Sequence, residues 1–170
     1  DLGLTGRFAP SPTGPLHIGS LVTALASYCD IKQRSGRWYL RIDDIDPVRT
    51  DRRAIADITR TLHVHGLIPD ADLRQQSHFV PRYERALQQL IEHCFYCRCS
   101  RSELQGHKLY PGYCRAITEK TSNRAVRIRV DPQRRSFIDA LKGNYDYVLA
   151  DDFGDFVIWR KDDLVTYHLA

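Results

Sequence analysis

The chain has 170 residues, 42% hydrophobic and 27% charged, with a formal net charge of +4. That is enough for one globular domain of ordinary size or one domain carrying an insertion. No window approaches a membrane span, and the N-terminus lacks the basic-then-apolar pattern of a secretion signal, so a membrane partner is not expected. The mild positive charge permits an RNA partner without demonstrating one. Five cysteines, four of them between 94 and 114, give an odd and clustered set. This argues against a secreted disulfide framework and for metal binding or reduced thiols in the cytoplasm. Methionine is absent and the chain begins at Asp1, which is therefore not an initiator residue. There is no internal repeat and no low-complexity tract.

In chain order, residues 5–9 read as a short strand. From Gly19 to Arg34, Leu21, Ala24, Leu25, Tyr28 and Ile31 recur at helical spacing, and Cys29 at the edge of that stripe is expected to be packed. Ser35-Gly36 stops the helix, with Gly36 suited to a left-handed cap. Trp38-Tyr39-Leu40-Arg41-Ile42 is an aromatic and β-branched run, so a strand, with Trp38, Leu40 and Ile42 on one face. A strand, a crossover helix and a second strand predict a βαβ unit with a parallel pair. Thr50 or Asp51 can cap the next helix, whose face is Ile55, Ile58 and Leu62 and which ends near Gly66. Pro81 suits the first turn of a further helix with Tyr83, Ala86, Leu87, Leu90 and Ile91 as its buried stripe. From about Phe95 the segments shorten: 125–130, 136–139 and 156–160 read as strands. Ser100 and Glu103 form a capping-box pattern that predicts a short helix. The organisation expected is 1–75 as an α/β domain, 76–160 as an inserted module and 161–170 as the return.

Two clusters carry chemistry. The loop from Gly6 to Ser20 packs proline, serine and glycine between a strand and a helix, whose N-terminus is free to meet an anion. Gly14 and Gly19 let the backbone approach a ligand closely. Asp43-Asp44-Ile45-Asp46-Pro47 follows the second strand at its carboxyl end, where open α/β sheets bind ligands, so loop and acidic turn should share one crevice. Cys97, Cys99 and Cys114 suit zinc, which takes four tetrahedral ligands. Spacing alone leaves the fourth open among Cys94, His93, His107, Tyr110, Tyr113 and water.

Pro10-Ser11-Pro12-Thr13-Gly14-Pro15-Leu16-His17-Ile18-Gly19 resembles the "HIGH" element of the class I glutamyl-tRNA synthetase family. Arg41-Ile42-Asp43-Asp44 is similar to that family's Arg-Ile-Glu-Asp motif, and Cys97-x-Cys99 with Tyr110-x-x-x-Cys114 to its zinc pattern. The resemblance covers essentially the whole chain. It implies an α/β fold: the first half of a Rossmann-type nucleotide-binding domain with a parallel sheet, carrying a small zinc-bearing α+β insertion. It implies that Pro10, Ser11, Thr13, Gly14, His17, Gly19 and Ser20 bind ATP, with Mg²⁺ accompanying it, and that His17 and Ser20 are catalytic. Ser20 stands at the signature's second histidine and can donate a hydrogen bond but no positive charge. By the same resemblance Arg7, Phe8, Ala9, Pro10, Ser11, Asp43 and Tyr167 bind glutamate, with Arg7 pairing a substrate carboxylate. Asp43 is one methylene shorter than the family's glutamate. Tyr110 becomes the fourth ligand of one structural zinc.

The segments Gly19-Ser20-Leu21-Val22-Thr23-Ala24-Leu25 and Tyr110-Pro111-Gly112-x-Cys114-Arg115 look most like the short branch of this family that lacks an anticodon-binding domain. That branch activates glutamate with ATP and passes it to queuosine in the anticodon of tRNA(Asp). The expected partners are thus ATP, L-glutamate and tRNA(Asp) carrying queuosine, and the expected state is a cytoplasmic monomer. Alternatives are the catalytic half of an ordinary glutamyl-tRNA synthetase and a non-catalytic RNA-binding paralogue. The chain stops at Ala170, before the family's lysine-rich second signature, so it is read as part of an ATP site rather than the whole.

Overall fold

The computed structural model describes residues 3–170. They divide into two units, one running through Pro81 and the other spanning Arg82–Ala170.

The first unit contains strand β1 (Thr5–Phe8), helix α1 (Ile18–Gln33), strand β2 (Arg37–Ile42), helix α2 (Arg52–Val64) and the two-residue strand β3 (Arg74–Gln75). The sheet runs β1-β2-β3 with both pairs parallel, as the βαβ reading expects. Period-two alternation decides what β2 buries: Trp38, Leu40 and Ile42 are all 2% exposed or less. The Phe8 ring stacks on Trp38 at 6.3 Å, and Tyr28 meets it edge-on at 5.2 Å. The buried indole is also satisfied, its Nε1–H donating to Ser27 Oγ at 3.0 Å. Ala24 and Ile31 from α1 and Ile58 and Leu62 from α2 complete this core. Trp38→Ala would cost about 3–5 kcal/mol, the usual loss for deleting a large buried aromatic.

Several details differ from the sequence reading. Helix α1 ends in a Schellman turn in which Ser35, not Gly36, takes the left-handed conformation (φ 56°). The Ser35 amide donates to the Lys32 carbonyl and the Gly36 amide to the Ile31 carbonyl. Gly36 is required for space instead: a Cβ there would sit 2.7 Å from the Leu4 carbonyl oxygen and from Ile31. Cys29, expected to be packed, is exposed, as is Leu25, because α1 buries a narrower face than its apolar count suggests. In helix α3 (Val80–Leu90), Tyr83, Ala86, Leu87 and Leu90 are only half-buried, and Ile91 lies exposed in the 3-10 turn beyond. Asp51 is the cap of α2, its carboxylate accepting from the Arg53 amide at 2.9 Å.

The second unit holds strands β4 (Cys94–Cys97), β5 (Ala125–Ile128) and β8 (Val157–Trp159) in an antiparallel sheet ordered β4-β5-β8. Strands β6 (Arg134–Asp139) and β7 (Gly143–Val148) form a separate two-stranded ribbon, followed by the single turn α4 (Leu149–Asp152). Strands β4 and β7 went unread in the sequence. The four residues of β4 are all buried and so show no alternation. Ser100 and Glu103 do form a full capping box, amide to carboxylate at 2.7 Å and amide to hydroxyl at 3.2 Å, but it closes a series of turns rather than a helix. Past β8, Val165 bridges back to Trp159. No helix among the described residues is long and apolar enough to cross a membrane.

Asp70 ties the end of α1 to β2. Its carboxylate accepts from Lys32 Nζ at 2.6 Å and from the Trp38 amide at 2.5 Å. The Lys32 hydrogen bond, then the amide, hold its carboxyl below the ordinary range. A depressed carboxyl stabilises the fold fully above the ordinary value near pH 4, and that contribution is lost as pH falls through the lower folded value. Thermal melts across pH should therefore show Asp70→Asn less stable than wild type at neutral pH, with a shallower decline on acidification. Parallel acid limbs for the two proteins would contradict this.

Candidate active site and metal centre

His17 is the N-cap of α1. Its Nδ1 accepts from the Ser20 amide at 3.2 Å. The ring proton therefore sits on Nε2, which donates to Ser20 Oγ at 3.1 Å. The imidazole folds over Gly19 to do this, and a Cβ at Gly19 would lie 3.1 Å from the ring. His17, Gly19 and Ser20 thus form one unit at the helix N-terminus, where the first amides lack intrahelical partners.

The rest of the loop is pinned to the acidic turn. The Asp43 amide donates to the Pro10 carbonyl at 3.0 Å and the Asp51 amide to the Pro12 carbonyl at 2.7 Å. Pro12 is fully buried, Ala9, Pro10 and Gly14 are half-buried, and Ser11 and Thr13 are exposed. The Phe8 ring lies in the core. Arg7 stands opposite Tyr39 in the register, exposed and on the sheet face away from Phe8. The same alternation sends Arg41 and Asp43 off the core face. Arg41 grips Asp43 through both oxygens, Nε at 2.6 Å and Nη2 at 3.0 Å. Asp44 plays a different part: buried, it accepts from the Ser77 amide at 2.8 Å and hydroxyl at 2.6 Å, locking the end of β2 to the turn after β3. A concavity of about 1080 Å³ lies beside α2, lined by Asp44, Thr50, Arg60 and His63 among others, and contains none of the loop residues.

In the second unit, the sulfurs of Cys97, Cys99 and Cys114 lie within 4.8 Å of one another. Tyr110 Oη is 3.5 Å from Cys97 Sγ and 3.8 Å from Cys99 Sγ, and accepts from the Cys114 amide at 2.8 Å. Of the other nominees, the Cys94 thiol donates to the Leu90 carbonyl at 3.1 Å, and His107 Nε2 pairs with Tyr113 Oη at 3.1 Å. Three sulfurs and a phenol oxygen have the number and chemistry of a tetrahedral thiophilic site. Burial, with the hydrogen bond to Cys114, pushes the Cys99 thiol up to about 11. Burial also works to raise Cys114, but hydrogen bonds from Tyr110, the Arg98 backbone and the other thiols outweigh it and bring it down to about 7. Burial and the thiols hold the Tyr110 phenol well above its ordinary value. Tyr167 is half exposed on the wall of a cavity of about 630 Å³ that also includes Cys97, Cys99, Arg101 and Arg127.

The family model for the catalytic domain of class I tRNA synthetases (E and Q) matches residues 4–170. The chain belongs to this family. Among curated relatives it is 42% identical over 167 residues to glutamyl-Q tRNA(Asp) synthetase of Acinetobacter baylyi, covering 97% of this chain and 57% of that protein. It is 40% identical over 173 residues to the protein of the same name from Photobacterium profundum, covering 100% of this chain and 56% of that one. The chain therefore spans a little over half the length of these relatives. Among solved structures, a glutamate tRNA ligase from Elizabethkingia meningosepticum, in complex with its amino acid, superposes with a TM-score of 0.80 at 23% identity, covering 98% of this chain and 40% of that one. A glutamate-tRNA synthetase from Elizabethkingia anophelis gives 0.81, again at 23% identity, with 98% and 41% covered. The fold is that of a class I synthetase catalytic domain.

Sequence reasoning overlooked Arg41, Asp155 and Arg127. Arg41 was detectable, since residues two apart leaving a strand share a face. The other two act through contacts made only in the folded module. The donor set predicts uptake of a single cobalt or zinc ion, lost in Cys114→Ser. Apparent affinity should fall as pH drops, because protons compete for the raised Cys99 and Tyr110 groups throughout and for Cys114 as well below about 7. Metal analysis of the purified chain across pH checks this, and a metal content near zero in the wild type would contradict it.

Proposed function

We propose that the complete protein activates glutamate with ATP and transfers it to queuosine in the anticodon of tRNA(Asp), a tRNA modification. The observation that carries this reading is the 40–42% identity, over nearly the whole chain, to relatives named glutamyl-Q tRNA(Asp) synthetase. In the first step a glutamate carboxylate oxygen bonds to the α-phosphorus of ATP, the bond to the β-phosphate oxygen breaks, and pyrophosphate leaves. In the second, a nucleophile of the queuosine base takes the glutamyl group, losing its proton, and AMP leaves.

His17, Gly19 and Ser20 at the N-terminus of α1, with Pro10, Ser11, Thr13 and Gly14, are the proposed ATP contacts. Preorganised donors there would stabilise charge building on the α-phosphate. His17 and Ser20 are the proposed catalytic pair, and Mg²⁺ would accompany the nucleotide. Arg7, exposed and on the outer sheet face, is proposed to take a glutamate carboxylate, with Phe8, Ala9, Pro10 and Ser11 shaping the loop around it. Asp43, oriented by Arg41, is proposed for the α-amino group, and Tyr167 for a further contact to the amino acid. Cys97, Cys99, Tyr110 and Cys114 are the proposed ligands of one structural zinc. Residues 1–75 would form the first part of the nucleotide fold, 76–160 the insertion and 161–170 the return. We place the protein in the cytoplasm, where tRNA and reduced thiols are found together, and read it as a monomer.

Glutamate-dependent ATP–pyrophosphate exchange in the complete protein should be abolished by His17→Ala and by Arg7→Ala, with the wild type also transferring labelled glutamate to tRNA(Asp) only when it carries queuosine. Transfer to the 3′ end of a tRNA instead would make this an ordinary glutamyl-tRNA synthetase. Wild-type exchange in either variant would remove that residue from the site.

A further inference from the structure

We propose that Arg127 is the positioning residue of the metal centre, its guanidinium lying on the Tyr110 ring so that the phenol oxygen is held among the three sulfurs. The proposal rests on the zinc reading above. The guanidinium carbon lies 4.0 Å from the centroid of the Tyr110 ring, and Phe95 packs on the same ring at 5.7 Å. The β4–β5 register sets Arg127 directly opposite Phe95, two residues before Cys97. The sheet that presents Cys97 therefore also presents the cation to its neighbour.

The cation is itself anchored. Arg127 Nη1 donates to the Asp155 backbone carbonyl at 2.7 Å. Asp155, 4% exposed, is fixed in turn by Arg115 Nη2 at 2.7 Å and by the Val130 amide at 3.0 Å. Meanwhile Arg127 Nε is buried without a hydrogen-bond partner. Leaving a guanidinium N–H so buried is unfavourable unless something else compensates the charge. Three thiolates and a phenolate around a divalent ion leave excess negative charge, and a cation on the ring face both offsets that charge and fixes the ring's angle. Of the neighbouring arginines, Arg115 is committed to Asp155, and Arg129 to the carbonyls of Cys94 and Arg115.

The test measures zinc affinity of the full chain by chelator competition, together with the visible spectrum of the cobalt-substituted protein. Arg127→Met should weaken zinc binding by about 10- to 100-fold, the usual cost of removing a group that orients a ligand, and should shift the cobalt bands. Arg127→Lys keeps the charge and the aliphatic stem but not the planar stack, and should fall between Arg127→Met and wild type; it also serves if the methionine variant fails to fold. In a Tyr110→Phe background the further loss from Arg127→Met should largely disappear. Wild-type affinity and spectrum in both Arg127 variants, or a full additive loss in the Tyr110→Phe background, would overturn the assignment. A wild-type chain that takes up no zinc would overturn the zinc reading and this role together.

Discussion

The alternation of β2 is the constraint on which the first unit depends. One face of six residues is driven into the core by Trp38, Leu40 and Ile42, so the other face has no choice but to present Tyr39 and Arg41 outward. The hydrophobic effect thereby decides where charge is displayed. Because the pairing with β1 is parallel and in register, the same choice buries Phe8 and turns Arg7 out. A slip of one residue in β2 would turn its apolar set outward and put Arg37 and Arg41 into the core.

Carboxylates then convert that display into fixed geometry, and they divide the labour. Asp44 and Asp70 are consumed in holding backbone: one clamps the turn after β3, the other joins α1 to β2. Asp43 faces outward beside its arginine. In the second unit Asp155 serves as a hub whose side chain secures Arg115 and the Val130 amide while its carbonyl secures Arg127. Each candidate site is therefore braced by one buried acid, Asp44 in the first unit and Asp155 in the second.

What the sequence made legible was local. Helical spacing over Leu21 to Ile31, the strand period from Trp38 to Ile42, the capping position at Asp51 and the cysteine spacing all involve residues within a few turns of one another. The loop motif resembles a known family closely enough to indicate the architecture from the sequence alone. The illegible parts needed the third dimension. Asp44 meets Ser77 across 33 residues of chain, and Arg127 meets the Tyr110 ring through a strand pairing. Strand β4 hid because full burial erases alternation. Gly36 departs from expectation for a related reason: its constraint is the Leu4 carbonyl just before β1, not its own dihedral angle. Even Cys29 shows this, since a stripe's width is set by what packs against the helix, not by its own composition.

The capping role of His17 has an energetic corollary. An anion arriving at the start of α1 would meet an end already occupied by an imidazole nitrogen. Accepting the Ser20 amide would mean displacing that nitrogen, so the event is an exchange of acceptors with little change in their number. The cap removed is worth about 1 kcal/mol, which is subtracted from whatever the anion gains. In return, the departing ring is released at the place where the anion sits, free to turn its Nε2–H toward it. The helix stays closed in both arrangements, and a small, nearly balanced swap of this kind is well suited to rapid binding and release.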